Sequence, residues 1–479
     1  MILIVRTFLF SRCQTAEAMR WITVLAALLL LAIRPLTGQT DPSREAEPSV
    51  ETEAAQQVEA PAQPEYTGPA VLSRLSQPII GLGAAIALQP YFSFNQIYDT
   101  GLTASSGNTA TSAGALGEEF GFGLRGTHRW RHIAVNIDYE GTWREYSQSA
   151  GYNGTNQFLH ITAVTPLRRH LSLAVSQTVG TVTQDLGSLL VQPTVLETSG
   201  VLPANEPFDS RARFLDSQAA VTYQKSRRLS FAASIEGSFV RVEPSYLVGI
   251  DSISIGGDLS YLLSRHVTVG LDYNFAHYEY TVFGSADLNT VRGDFSWRLS
   301  RTVDLSLQLG MTYVDVLGLT SVPLDPSIAA ILGSATGTRV SNQVLSAPTY
   351  HFQVAKHWHR ADADIGYQGG ISPGNGLILT SKTDSIDAGV LYSRSRTWSF
   401  STHAGWTSMH SLTGLTGTAY SGYTASVSVT RSISPTVHML ARFEARPFTY
   451  VGPALPTGDT YRATIGFIFT PRELAIALR

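Results

Sequence analysis

RLSRTVDLSLQLGMTYVDV, residues Arg298–Val316, is the stretch that decides the fold. After Leu-Ser-Arg and one polar residue, Val303, Leu305, Leu307, Leu309, Met311 and Tyr313 alternate with Asp304, Ser306, Gln308, Gly310 and Thr312. A period of two separates these sets onto the two sides of an extended chain, whereas a helix would mix them. The arrangement has a counterpart in LLSRHVTVGLDYNFAHYEY, residues Leu262–Tyr280. There Val267, Val269, Leu271, Tyr273 and Phe275 share one face, and Thr268, Gly270, Asp272, Asn274 and Ala276 the other. Tyr278 and Tyr280 leave this alternation and are expected where the strand approaches an outer interface. In a third case, Trp398, Phe400, Ala404 and Trp406 oppose Ser399, Ser401, His403 and Gly405.

Short basic turns punctuate the rest of the chain. They fall at Arg131, Arg169, Arg227, Arg265, Arg301, Arg360, Arg396 and Pro435. Five intervals are about 36–39 residues and two are longer by about 20, as if each of these held one extra loop. Alternation flanks every turn, so each repeat is a pair of long strands with a tight turn at one end and a variable loop at the other. Eight turns imply sixteen strands. Further alternating segments, Ile79–Phe94 and Thr460–Phe469, raise the expected number to about eighteen, with sixteen as the alternative.

The composition agrees with strands and turns. Charged residues are 15% of the 479 and hydrophobic residues 43%, yet mean hydropathy is only +0.04. Soluble domains carry about 25% charged residues; here Gly, Ser, Thr and Tyr fill the gap. With a net charge of −3 and no concentration of Lys and Arg, nothing points to nucleic acid.

The first residues read as an export region, 1–38, with Met19 as the expected start, Arg20 as a positive n-region and Ile22–Ile33 as an apolar h-region. Spanning helices need about 20 apolar residues, more than this run offers. Cys13 is the single cysteine and lies upstream, so a processed chain has no disulfide framework and no thiol anchor. Residues 39–77, rich in Glu, Pro, Ala and Gln, are expected to be a disordered acidic linker. Residues 78–470 form the body of the chain and 471–479 a short tail.

A β-propeller also repeats near 40 residues, but its blades divide that length into four short strands, where here there are two uninterrupted ones. A ring of eighteen strands is too wide for side chains to fill. An apolar face turned to lipid and a polar face turned to a wet lumen satisfies both constraints. The fold class expected is therefore all-β, a transmembrane antiparallel up-and-down barrel. Trp130, Trp297, Trp358 and Trp398, each near a short turn, fit an aromatic girdle.

On this architecture the chain resembles the bacterial outer-membrane β-barrels, porins in particular, over roughly Ile79–Phe469. The closing YRATIGFIF, with Tyr461, Ile465, Phe467 and Phe469 on one face, looks like the aromatic assembly signal of that class, although TPRELAIALR follows it here. The resemblance implies the outer membrane with both termini periplasmic, and the lipid and barrel-assembly machinery as partners. A homo-oligomer stays open. It also implies a passive channel for small hydrophilic solutes, with an exit barrel for an exported polysaccharide or other polymer as the alternative. A barrel hydrolase is the weaker third reading: His351, His403 and His438 have no local nucleophile signature beside them. No catalytic residue, cofactor or metal is expected. His357 and His359 near Asp362 and Asp364 form a metal-like spacing at a tight turn, where an interfacial role suits them better.

The polar face supplies the candidate lumen residues. The acids are Asp138, Glu140, Glu236, Asp258, Asp272, Asp294, Asp304, Asp362, Asp364 and Asp387; the arginines are Arg125, Arg442, Arg446 and Arg462. Closure would gather the arginines into one arc facing an acidic one, a transverse field that orients solutes. Arg144, Arg292 and Arg298 among the acids, and Glu444 among the arginines, allow a second reading as cross-strand ladders. One or both of two aliphatic loops, about 185–211 and 318–345, are expected to fold over or into the mouth and narrow it, with packing of the loops on one another outside the barrel as the alternative; in the second, Asp325 is placed to cap a short helix bearing Ile328, Ile331 and Leu332.

Overall fold

The computed structural model describes residues 85–100, 114–130, 132–147, 153–183, 211–242, 248–281, 283–325, 327, 331, 333, 336–374, 378–392, 397–412, 419–451, 458–471 and 474–477. The export region with Cys13, the linker 39–77 and nearly all of the 185–211 loop lie outside them.

The strands are β1 (Ala85–Asp99), β2 (Ala115–Arg129), β3 (Ala134–Tyr146), β4 (Gly154–Arg168), β5 (Leu171–Thr183) and β6 (Arg211–Gln224). Next come β7 (Leu229–Val242), β8 (Ile250–Ser264), β9 (Val267–Tyr280), β10 (Ser285–Ser300), β11 (Val303–Pro323) and β12 (Thr336–His357). The last are β13 (Ala361–Gly374), β14 (Leu379–Tyr392), β15 (Trp398–Ser411), β16 (Ala419–Ser432), β17 (Val437–Val451), β18 (Gly458–Phe469) and β19 (Leu474–Ala477).

Each strand pairs antiparallel with its sequence neighbour, and β18 pairs with β1 from Phe92–Phe469 to Asp99–Arg462. That ladder closes an eighteen-stranded up-and-down barrel. Part of the tail extends it: β19 resumes the line of β18 after a break and pairs Leu474–Ala477 with Ala85–Leu88 of β1. Among the described residues closure leaves no strand of the barrel with a wholly free edge, the condition for a sheet to cross a bilayer.

The recurrent Leu-Ser-Arg has a local reason. At the β8–β9 turn, Ser264 Oγ accepts from the His266 N–H at 3.2 Å, and at the β10–β11 turn Ser300 Oγ accepts from the Thr302 N–H at 3.2 Å. Ser226 and Ser434 do the same at two other short turns. A serine hydroxyl that replaces a backbone acceptor stabilises a tight reversal, and the basic residue beside it keeps that end in water.

Exposure separates the two faces as the alternation predicts. Leu305, Leu307, Leu309, Met311 and Tyr313 lie on the outer wall, where Leu309, Met311 and Tyr313 are half exposed. Such residues recur on every side of the barrel, from Phe92 and Phe122 to Phe443 and Phe467. An apolar surface this continuous cannot face water in a monomeric soluble protein; lipid satisfies it. Trp297, Trp358 and Trp398 are exposed near the short turns, with Lys356 over Trp358 at 4.8 Å and Arg431 over Trp398 at 5.2 Å. Among the described residues no helix is long and apolar enough to cross a membrane.

Two expectations need correction. Tyr278 and Tyr280 face inward, 8% and 4% exposed, in an apolar cluster with Ile250, Leu288, Val314 and Val316. Residues 318–345 are mostly a long β11–β12 hairpin, paired out to Pro323–Thr336, and Ile331 at its tip is 83% exposed. Long strands satisfy their backbone by pairing, so the described part of this segment is an extended ribbon. Asp325 does cap as expected, its Oδ1 accepting from the Ser327 N–H at 2.9 Å; Ile328 and Leu332 lie outside the described residues.

Candidate functional site

Among the described residues the inner face of the barrel is rich in ionisable side chains, and register places every candidate on it. The pairs Arg125–Asp138, Asp258–Asp272 and Gly366–Asp387 put both members on the face opposite the exposed aromatics. Glu140, Glu236, Asp294, Asp304, Asp362, Asp364, Arg442, Arg446 and Arg462 follow by the same alternation.

The structure does bring the four arginines into one arc, across β17, β18, closure and β2. It also interleaves that arc with acids. Arg442 pairs with Glu444, and Arg462 with Asp99. Arg125 reaches Asp138 at 2.8 Å, and Arg144 reaches Glu119 at 2.5 Å, where Asn95 Nδ2 also donates at 2.9 Å. Arg446, 5% exposed, is enclosed beside Glu444, Arg442 and Tyr420 with its guanidinium nitrogens making no hydrogen bond. This wall is close to neutral and reads as cross-strand ladders. Asp99 and Glu119, which complete it, sit on the inner face of β1 and β2; carrying the period of two through those strands would have found them.

The facing wall is different. From β6 to β14 it presents Asp216, Glu236, Asp258, Asp272, Asp294, Asp304, Asp362, Asp364 and Asp387. Arg292 reaches Asp272 at 2.6 Å and Arg298 reaches Asp304 at 3.3 Å. Asp258 and Asp272 stand directly opposite each other on β8 and β9. Like charges so placed destabilise a sheet, unless water and mobile counter-ions fill the space in front of them.

His357 spans Asp362 at 2.9 Å and Asp304 at 3.6 Å near a short turn. Among the described residues no group of three His, Cys, Asp or Glu could hold a metal ion. His403 faces Ser426 across β15–β16, near Asp364 and Asp387, but its Nδ1 is buried without a hydrogen-bond partner. The relay that orients a histidine base is therefore not assembled there. His438 is 2% exposed and bonds Thr470 at 3.2 Å. Outside, a groove of about 630 Å³ lined by Phe92, Phe122, Trp143 and Phe469 belongs to the lipid-facing wall.

Comparison with known proteins finds likeness among solved structures alone. No protein-family model matches the chain, and no curated protein matches it. Solved structures that align include Pseudomonas aeruginosa OpdQ, at 11% identity and TM-score 0.39 over 82% of this chain and 98% of that one. Pseudomonas aeruginosa OccK2 (OpdF) aligns at 9% identity and TM-score 0.42, over 82% and 99%. Acinetobacter baumannii OccAB1 aligns at 11% and 0.40, over 83% and 98%. At such values the likeness carries no argument about activity. The class rests on the chain itself: a closed, up-and-down β-barrel with a lipid-facing apolar wall and a charged interior.

Proposed function

We propose that the protein is a bacterial outer-membrane channel through which small hydrophilic solutes diffuse passively, with a bias toward cations. The observation that carries this reading is the acid-dominated wall from β6 to β14 facing a near-neutral ladder. On the inner face as a whole, acids outnumber arginines by about two to one, and a ring of eighteen strands leaves an interior wider than its side chains. A lumen with that charge concentrates cations and aligns dipolar solutes against the acidic side. The short turns and both ends of the barrel sheet lie on one side, which this reading places in the periplasm.

Liposome swelling tests it. Vesicles holding the purified protein should swell in small uncharged sugars and progressively less as sugar size rises. No swelling with any sugar would remove the diffusion channel; passage restricted to an extended polymer chain would move the reading to an exit barrel.

A further inference from the structure

We infer that the ends of β13 and β14 form a gate inside the barrel mouth, latched by the Tyr280 hydroxyl; the inference rests on the channel reading. The wall parts at this point. The β12–β13 ladder stops at Tyr350–Gly369, whereas β11–β12 runs on to Pro323–Thr336 and β13–β14 to Gly374–Leu379. Local chemistry explains the parting. Pro348 has no N–H to offer a ladder, Gly369 and Gly370 give β13 a pliable point, and Gly374 turns at φ +95°, where an added Cβ would lie 1.8 Å from the Ile378 carbonyl oxygen.

Beyond the parting, the two strand ends turn inward. Ile371 and Leu379 pack on the cluster around Tyr278, Leu288 and Val316 that lines the inner face of β9 to β11. Ile378, 1% exposed, packs on Met409 and Tyr420 of β15 and β16. The strand ends thus reach two separate parts of the inner wall. The Tyr280 hydroxyl donates to the Pro373 carbonyl at 2.9 Å and lies 2.6 Å from Thr380 Oγ1, joining residues 93 and 100 positions apart.

Two features make this a closure that opens. Among the described residues no ladder ties the end of β13 to β9 or β12, so it joins the wall through its own ladder with β14, whose Thr380 carbonyl accepts from the Leu412 N–H at 3.0 Å, and through side-chain packing and Tyr280. Thr380 sits at φ +42°, a strained conformation for a β-branched residue, and release relieves it.

The test places a single thiol at the closure. Ile378→Cys, in a chain carrying Cys13→Ser, is reconstituted in lipid, and its modification by a membrane-impermeant thiol reagent is timed. Modification should be slow, and about tenfold faster with Tyr280→Phe, because two hydrogen bonds are lost. Thr380→Val should act in the same direction more weakly, and Tyr313→Phe, on the outer wall of β11, should leave the rate unchanged. Heat-modifiable mobility on gels confirms that each barrel is folded. Equal rates with and without Tyr280→Phe, or fast modification in its absence, would overturn the gate. The same Tyr280→Phe protein should show about a tenfold greater open fraction in a planar bilayer. Conductance steps without thiol acceleration sink the gate and leave the channel, whereas thiol acceleration without any conductance keeps the hinged closure and sinks the channel.

Discussion

Leu309→Arg, compared with Gln308→Arg, isolates the assignment of the two faces. The positions are adjacent near the middle of the barrel part of β11, so they share depth and strand and differ only in face. Leu309 is 55% exposed on the outer wall, between Gly293 and Tyr350 of the neighbouring strands. Gln308 faces Asp294 across β10–β11. An arginine on a lipid-facing position at mid-bilayer costs about 2–4 kcal/mol. An arginine beside Asp294 in a wet lumen gains a partner, and its net effect should stay within about 0.5 kcal/mol. The assay is reversible urea unfolding in thin-chain phosphatidylcholine vesicles, with the two variants measured side by side. A gap of about 2–4 kcal/mol, with Leu309→Arg the less stable, is expected. Equal costs, or the greater cost at Gln308, would refute the faces and with them the lumen.

Arg144→Met should destabilise the barrel by about 3–5 kcal/mol, because Glu119, with 12% side-chain exposure, loses its charged partner; adding Glu119→Leu should recover most of this in the same unfolding assay. Replacing Asp258, Asp272 and Asp294 together by Asn should lower cation preference severalfold in the reversal potential across a KCl gradient, since fixed charge sets the lumen potential. Neutralising Arg442, Arg446 and Arg462 should raise that preference; no movement in either experiment would assign all these charges to structural ladders. Ser300→Ala should cost about 0.5–1.5 kcal/mol through the turn. At the tip of the long hairpin, hydrogen bonds from Ser327 hold the Asp325 carboxyl below its usual range. Its cap is therefore complete above the ordinary carboxylate range and lost only as pH falls through the lowered value, so exchange protection of the Ser327 amide should persist at pH 5.

Strand number, direction and face were legible because a period of two survives in nearly every strand, and one slip of register would have turned Leu309 inward and Asp304 outward. Each candidate lumen residue lies on the inner face for the same reason. The partners were harder to read. Arg462 meets Asp99 across closure, 363 residues away, which no local pattern reveals. Strand periodicity also says nothing about a strand that bends. QGGISPG, residues 368–374, carries the Gly and Pro of an ordinary loop, so its inward turn stayed hidden while the aliphatic 318–345 segment drew attention elsewhere. Tyr278 and Tyr280 were misplaced with it, since their inward packing depends on Ile371 and Leu379 arriving from elsewhere in the chain.

Single-channel recording from the purified protein in a planar bilayer tests the central claim most directly. The account predicts discrete conductance steps with a cation-biased reversal potential, more frequent with Tyr280→Phe. A folded, membrane-inserted barrel that passes no current in either form would contradict it.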